Sequence, residues 1–271
     1  MLAARALLAG FLVARLVAGA GEETRRFAPS YASSSVVHAA SQQSGNFAPN
    51  TIATLYGKDL AYVTRGLAAD DVRDNLLPTI FSGTGVRLFL DGLATPLYFV
   101  SPQQVNFLVP ANMKPGLHRL HLALDGRAGP VIDVRIGLAS PGLFVQQPGL
   151  AIAVRLDGTL VTGAAPARPG DVIILFATGL GETRNSLALR PGEVARTAST
   201  LVDTEGFAVR LNGRAIPRDH IFYAGLAPGF AGLYQVNLRV PSDAPIDPEI
   251  RVEASGSASP DGVRLAVRPA E

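Results

Sequence analysis

The chain repeats itself, and that limits what it can fold into more than any other feature. Gln104-Val105-Asn106-Phe107-Leu108-Val109-Pro110 returns 131 residues later as Gln235-Val236-Asn237-Leu238-Arg239-Val240-Pro241. Upstream, Pro49–Gly57 lines up with Pro169–Ala177 at an offset of 120, and Val86–Gly92 with Phe207–Gly213 at 121. Three blocks in the same order imply two related units that each need a core of their own. The offset grows by ten residues ahead of the second heptamer, which predicts an insertion there, in the loop around Gly225–Gly232.

The repeated blocks have the period of strands. Val86, Leu88 and Leu90 alternate with Arg87, Phe89 and Asp91, and Leu120, Leu122 and Leu124 alternate with Arg119, His121 and Asp125. Ile132–Ile136, Val236–Val240 and Val263–Val267 do the same. Successive side chains on a strand point to opposite faces, so each run offers one apolar face to a core and one polar face to water. Val172–Ala177 is apolar throughout and reads as a central strand covered on both sides. Asp91-Gly92, Asp125-Gly126, Asp157-Gly158 and Asn212-Gly213 separate such runs and suit two-residue hairpins, which need positive φ. Short strands in units of this size predict an all-β chain of two tandem immunoglobulin-like β-sandwich modules, 36–139 and 140–269.

Residues 1–20 carry Arg5, an apolar stretch and Ala18-Gly19-Ala20, the pattern of a secretory signal peptide. Residues 21–35 then form a flexible mature N-terminus. The protein is therefore expected to be exported, to the periplasm, the cell surface or the medium. No later stretch is long and apolar enough to span a membrane. There is no cysteine, which removes disulfides, thiolate metal sites and cysteine nucleophiles. The net charge of +2 is spread along the chain without a basic cluster, which argues against a nucleic-acid partner.

Val36–Ser41, Ala48–Leu60, Pro169–Gly181 and above all Ala224–Asn237 resemble an uncharacterised C-terminal domain family of secreted proteins from Solibacter-type Acidobacteria. The resemblance covers nearly the whole chain after residue 35. It implies an immunoglobulin-like fold and an exported protein, and brings no reaction, cofactor or catalytic residue with it. The family usually has Asn where this chain has His38.

No residue pattern in the chain marks a catalytic or metal site. His118 and His121 are three apart, which on a strand sends them to opposite faces, and His38 and His220 stand alone. Gly83-Thr84-Gly85 and Gly179-Leu180-Gly181 read as turn glycines, because no helix follows them to present its N-terminus to a phosphate. Asp70, Asp71 and Asp74 are an acidic loop cluster that could hold calcium but has Arg73 inside it and no fixed ligand spacing. Gln104, Asn106, Gln235 and Asn237 recur with the fold and so read as structural amides. The binding candidates are Phe230 and Tyr234 on the inserted loop, with Tyr223 beside it; the competing reading has Phe230 folding back to plug a core.

The chain thus reads as a non-enzymatic adhesion, surface-display or envelope-attachment protein without cofactor, whose partner is an envelope or extracellular protein or a glycan. The alternative is a carbohydrate-binding module using exposed aromatics such as Tyr98, Phe222, Tyr223 or Phe230. A hydrolase with residues dispersed over loops is the third reading.

Overall fold

A computed structural model describes residues 28–147, 149–184 and 189–268. The expected export signal lies outside them. Among the described residues the chain is all-β, with no α-helix and only short 3-10 turns.

In the first half, one sheet runs Val36–His38, Ile52–Tyr56, Gln104–Leu108, Leu97–Val100, Arg65–Gly66. It faces a second sheet whose spine is Ile132–Ile136, Gly116–Leu124 and Val86–Leu90. Between them lies a core of Leu55, Val105 and Phe107 from one side and Leu88, Leu122 and Val134 from the other. Leu88, Leu122 and Val134 are residues that the alternation assigns to the apolar faces. In the second half, a sheet built on Val172–Thr178, Tyr234–Arg239 and Ile221–Leu226 faces a smaller one built on Ala208–Leu211 and Ile250–Ala254. Its core gathers Ile173, Leu175 and Val236 with Val209 and Val252.

The repeat is visible down to the register. Leu97 and Ile221 open hairpins that pair with Phe107 and Leu238, and each strand then bulges by one residue before pairing resumes at Phe99–Asn106 and Tyr223–Asn237. The inserted residues are therefore split. Three precede this hairpin, three lengthen its strands, and four widen the connection beyond the length of Ser101–Gln103 in the first half. Gly225 and Leu226, expected in the loop, are the end of a strand paired to Gln235 and Tyr234. The connecting loop is 227–233.

Asp91-Gly92, Asp125-Gly126 and Asn212-Gly213 all take positive φ at both positions, as two-residue hairpins require. At Asp157-Gly158 only the glycine does; the Asp157 carboxylate instead accepts the Thr159 amide and hydroxyl at 2.9 and 2.7 Å, closing a different turn. Val263–Val267 is not a strand but a run of isolated bridges, with Leu265, Ala266 and Val267 all buried. Ala266 breaks the expected alternation, and its small side chain lets both sides of the segment be covered. Residues 28–35, expected to be flexible, are tied down. Ser30 bridges to Lys58, and the Tyr31 hydroxyl donates to the Pro130 carbonyl while accepting the Leu122 amide at 2.6 Å.

A third apolar cluster joins the two halves. Ile52, Leu77 and Leu108 of the first meet Phe144, Ile152, Phe176 and Leu233 of the second. This cluster covers the outer side of Val172–Thr178, which is why that strand is apolar on both faces.

Candidate functional site

The loop 227–233 exposes only its tip around Gly229, and both of its ends are buried. Ala227, Phe230, Ala231 and Leu233 pack into the cluster between the halves, against Ile52, Leu108, Leu67 and Tyr98. Gly232 has φ +65, and a Cβ there would lie 2.2 Å from Leu108 Cδ1 and 2.9 Å from the Asn50 carbonyl. Only glycine permits both the turn and the approach. The loop is wedged against the first half by Ala227, Ala231 and Leu233, with Phe230 partly buried at the edge of the joint.

Tyr234 is fully buried, and its hydroxyl donates to the Gly181 carbonyl at 2.5 Å. It presents nothing to a ligand. Burial holds its phenol far above the ordinary range. Tyr223 is half-buried, its hydroxyl donating to the Leu226 carbonyl at 2.6 Å and accepting the Ser199 amide at 2.9 Å. Tyr98 is spent in the joint, donating to the Ala231 carbonyl. Among the four aromatics considered for sugar contact, only Phe222 is half exposed, and the Arg239 guanidinium lies 5.3 Å from its ring centre.

A buried polar seam runs beside the wedge. The Thr178 hydroxyl accepts the Ile52 amide at 3.0 Å and donates to the Gly232 carbonyl at 2.7 Å. Next to it, a Cβ on Gly179 would sit 2.1 Å from the Ser140 carbonyl, and one on Gly181 2.8 Å from the Leu138 carbonyl. Both glycines have positive φ, so they are turn residues, and they also let the halves close. On the far side Asn75–Leu77 is laced to Gly192–Val194: Leu77 N donates to Gly192 O at 3.0 Å, Val194 N to Asn75 O at 2.9 Å, and the Asn75 side chain to Val194 O at 2.6 Å.

His38 pins the crossing point. It is 3% exposed. Its Nδ1 accepts the amides of Ala40 and Ser41 at 3.3 and 3.4 Å, which leaves the proton on Nε2 to donate to the Ser140 carbonyl at 3.0 Å. Burial pushes its pKa down to about 4, against the weaker upward pull of the Ser140 and Thr178 carbonyls. The ring is neutral at pH 7 and lies so close to Gly142 that a Cβ there would be 2.3 Å from Cε1.

The remaining sequence candidates are occupied elsewhere. Asp71 takes Arg65 at 2.6 Å and the Ala68 amide, and no metal-ligating group of three forms among the described residues. His118 bonds Asp91 at 2.7 Å and the Lys114 carbonyl at 2.8 Å, and His121 stacks on Phe89 at 4.9 Å. The Gln104 amide donates to Asn106 Oδ1 at 2.9 Å, so in the first half the repeated amides bond to each other.

Where the halves meet behind His38 there is an open cleft of about 320 Å³. Ser41, Gln43 and Asn46 line it from the first half, Ser140 and Pro141 from the crossing, and Ser257 and Pro260 from the second. Sequence reasoning missed both seam and cleft. Repetition points to what the copies share, whereas the cleft is made from residues that differ between them.

No family model matches the chain, and no curated protein is similar to it. Among solved structures, SGBP-B of the Bacteroides ovatus mixed-linkage glucan utilization locus, in complex with a mixed-linkage heptasaccharide, is similar at 13% identity and TM-score 0.33, over 89% of this chain and 46% of its own. The surface glycan-binding protein PbSGBP-B of Prevotella bryantii is similar at 9% identity and TM-score 0.28, over 84% and 40%. Domains 5–6 of the S-layer protein SbsC are similar at 8% identity and TM-score 0.26, over 84% and 94%. The chain spans less than half the length of the two glycan-binding proteins. No residue or role passes from these structures to this chain.

Proposed function

We propose that the chain is a non-catalytic exported protein of two tandem β-sandwich modules, acting in adhesion, display or attachment at the cell envelope. The observation that supports this reading is the use made of the chain's chemistry. His38, its buried histidine, is neutral and bonded at both ring nitrogens, and the polar groups around it hold one half against the other. An enzyme needs reactive groups converging on an accessible point. Here the convergent polar groups make a joint, which suits a rigid body that holds something at a set distance and angle.

The test is fractionation of cells expressing the intact protein, followed by pull-down from envelope material. Retention with the envelope and no turnover of ester or glycoside substrates is the expected result. Turnover abolished by a single side-chain change would overturn it. A second reading, carbohydrate binding, is favoured by one observation, the uncharged polar lining of the cleft behind His38.

A further inference from the structure

We infer that the cleft between the halves is a binding site for a neutral saccharide, a reading that rests on the attachment role proposed above and supplies its ligand class. The cleft has the volume of a small-ligand site. Its lining contains no carboxylate, lysine or arginine, and its histidine is held neutral by burial. A charged ligand would give up water there without gaining a counter-charge, which is costly.

What the lining offers is groups that both donate and accept. The amides of Gln43 and Asn46 and the hydroxyls of Ser44 and Ser257 make no side-chain hydrogen bond to protein among the described residues. The Asn46 backbone carbonyl accepts the Ser140 hydroxyl at 2.7 Å. Sugar hydroxyls have the same dual character, so a polyol can satisfy every one of these groups without leaving a donor facing a donor. Pro141, Ala258 and Pro260 add small apolar surfaces that match the C–H faces of a pyranose. A peptide would ask for pockets to take its alternate side chains, and no large apolar side chain lines the cleft.

The site is composite. Ser41–Asn46 come from one half and Ser257–Pro260 from the other, so the cleft exists only while the seam at Thr178 and His38 holds the halves together. None of the aromatics expected from sequence takes part.

Calorimetric titration of the intact protein with neutral hexasaccharides of glucose, xylose and mannose tests the assignment, with an acidic galacturonate oligosaccharide and an unrelated extended peptide beside them. Ser257→Tyr fills the cleft from a partly exposed position, and Asn46→Ala removes an exposed amide. Thermal unfolding of each variant confirms that it is folded. Phe222→Ala alters a half-exposed aromatic outside the cleft and serves as the control. The expected result is binding of a neutral saccharide, weakened about tenfold or more by either cleft variant and unchanged by the control. Absence of binding, binding that survives both cleft variants, or preference for the acidic saccharide or the peptide overturns the inference. A protein that stays with the envelope yet binds no neutral saccharide would overturn this site and leave the attachment role standing.

Discussion

The Thr178 hydroxyl accepts the backbone amide of Ile52 at 3.0 Å, from a strand 126 residues earlier in the chain. The same oxygen donates to the Gly232 carbonyl at 2.7 Å, on the wedge that fills the joint. One small side chain thereby closes two backbone groups that no sheet partner satisfies, in a place water does not reach.

Thr178→Val keeps the shape and removes both bonds, leaving the Ile52 amide buried without an acceptor. The expected loss is about 2 kcal/mol, with Thr178→Ser recovering most of it. Urea denaturation of the three proteins checks the order.

Gly179 and Gly126 have nearly the same backbone angle, φ +76 and +78, and very different surroundings. A Cβ on Gly126 meets nothing within 4 Å, whereas one on Gly179 meets the Ser140 carbonyl at 2.1 Å. Gly126→Ala should therefore cost about 1 kcal/mol, the conformational penalty alone. Gly179→Ala should cost at least about 2 kcal/mol more, because the halves must separate to admit the methyl. Thermal melts of both variants separate the strain of the turn from the closeness of the seam.

His38 carries a pH signature. Its pKa in the folded protein is about 4, below the ordinary histidine value of 6.5, so the folded state binds fewer protons than the unfolded one. The stability it contributes is complete above about pH 6.5 and falls as the pH drops toward 4, where the folded state also takes up its proton. The total is up to about 3 kcal/mol. His38→Asn, which cannot titrate, should flatten that part of the stability profile relative to the native protein. Denaturation at several pH values between 7 and 4 reads the difference.

Tyr234→Phe strips the donor from the Gly181 carbonyl in a fully buried place and should cost about 1–2 kcal/mol. Phe222→Ala should stay within about 0.5 kcal/mol, since half of that ring already faces water. Chemical denaturation distinguishes the buried aromatic from the exposed one.

Much of this fold was legible in the residues because strand period and burial are two views of one constraint. Leu88, Leu122 and Val134 had to face inward, and the paired Asp-Gly and Asn-Gly turns had to fold back. The joint was hidden for a physical reason. The wedge 227–233 looks like any exposed loop rich in glycine and small residues, and what makes it interior is a surface on Ile52 and Leu108 that only the folded chain brings near. Gly179 and Gly181 were legible as turn residues, but their second task depends on Ser140 and Leu138, which are about 40 residues away. Tyr234 was misplaced because loop and strand differ there by a residue or two, and Gly225-Leu226 extends the strand that encloses it. The cleft left no mark, since serines and amides spread over three segments have no period.

The wedge gives the molecule a direction. In the first half, the short turn at Ser101–Gln103 has nothing to insert, and in the second, the positions matching Ile52 and Leu108 are Val172 and Arg239, the latter exposed with its charge against Phe222. Among the described residues plug and socket therefore occur once each, on opposite halves, and a third unit of either type could not be added by the same fit. The two halves are therefore an ordered pair whose members are not interchangeable.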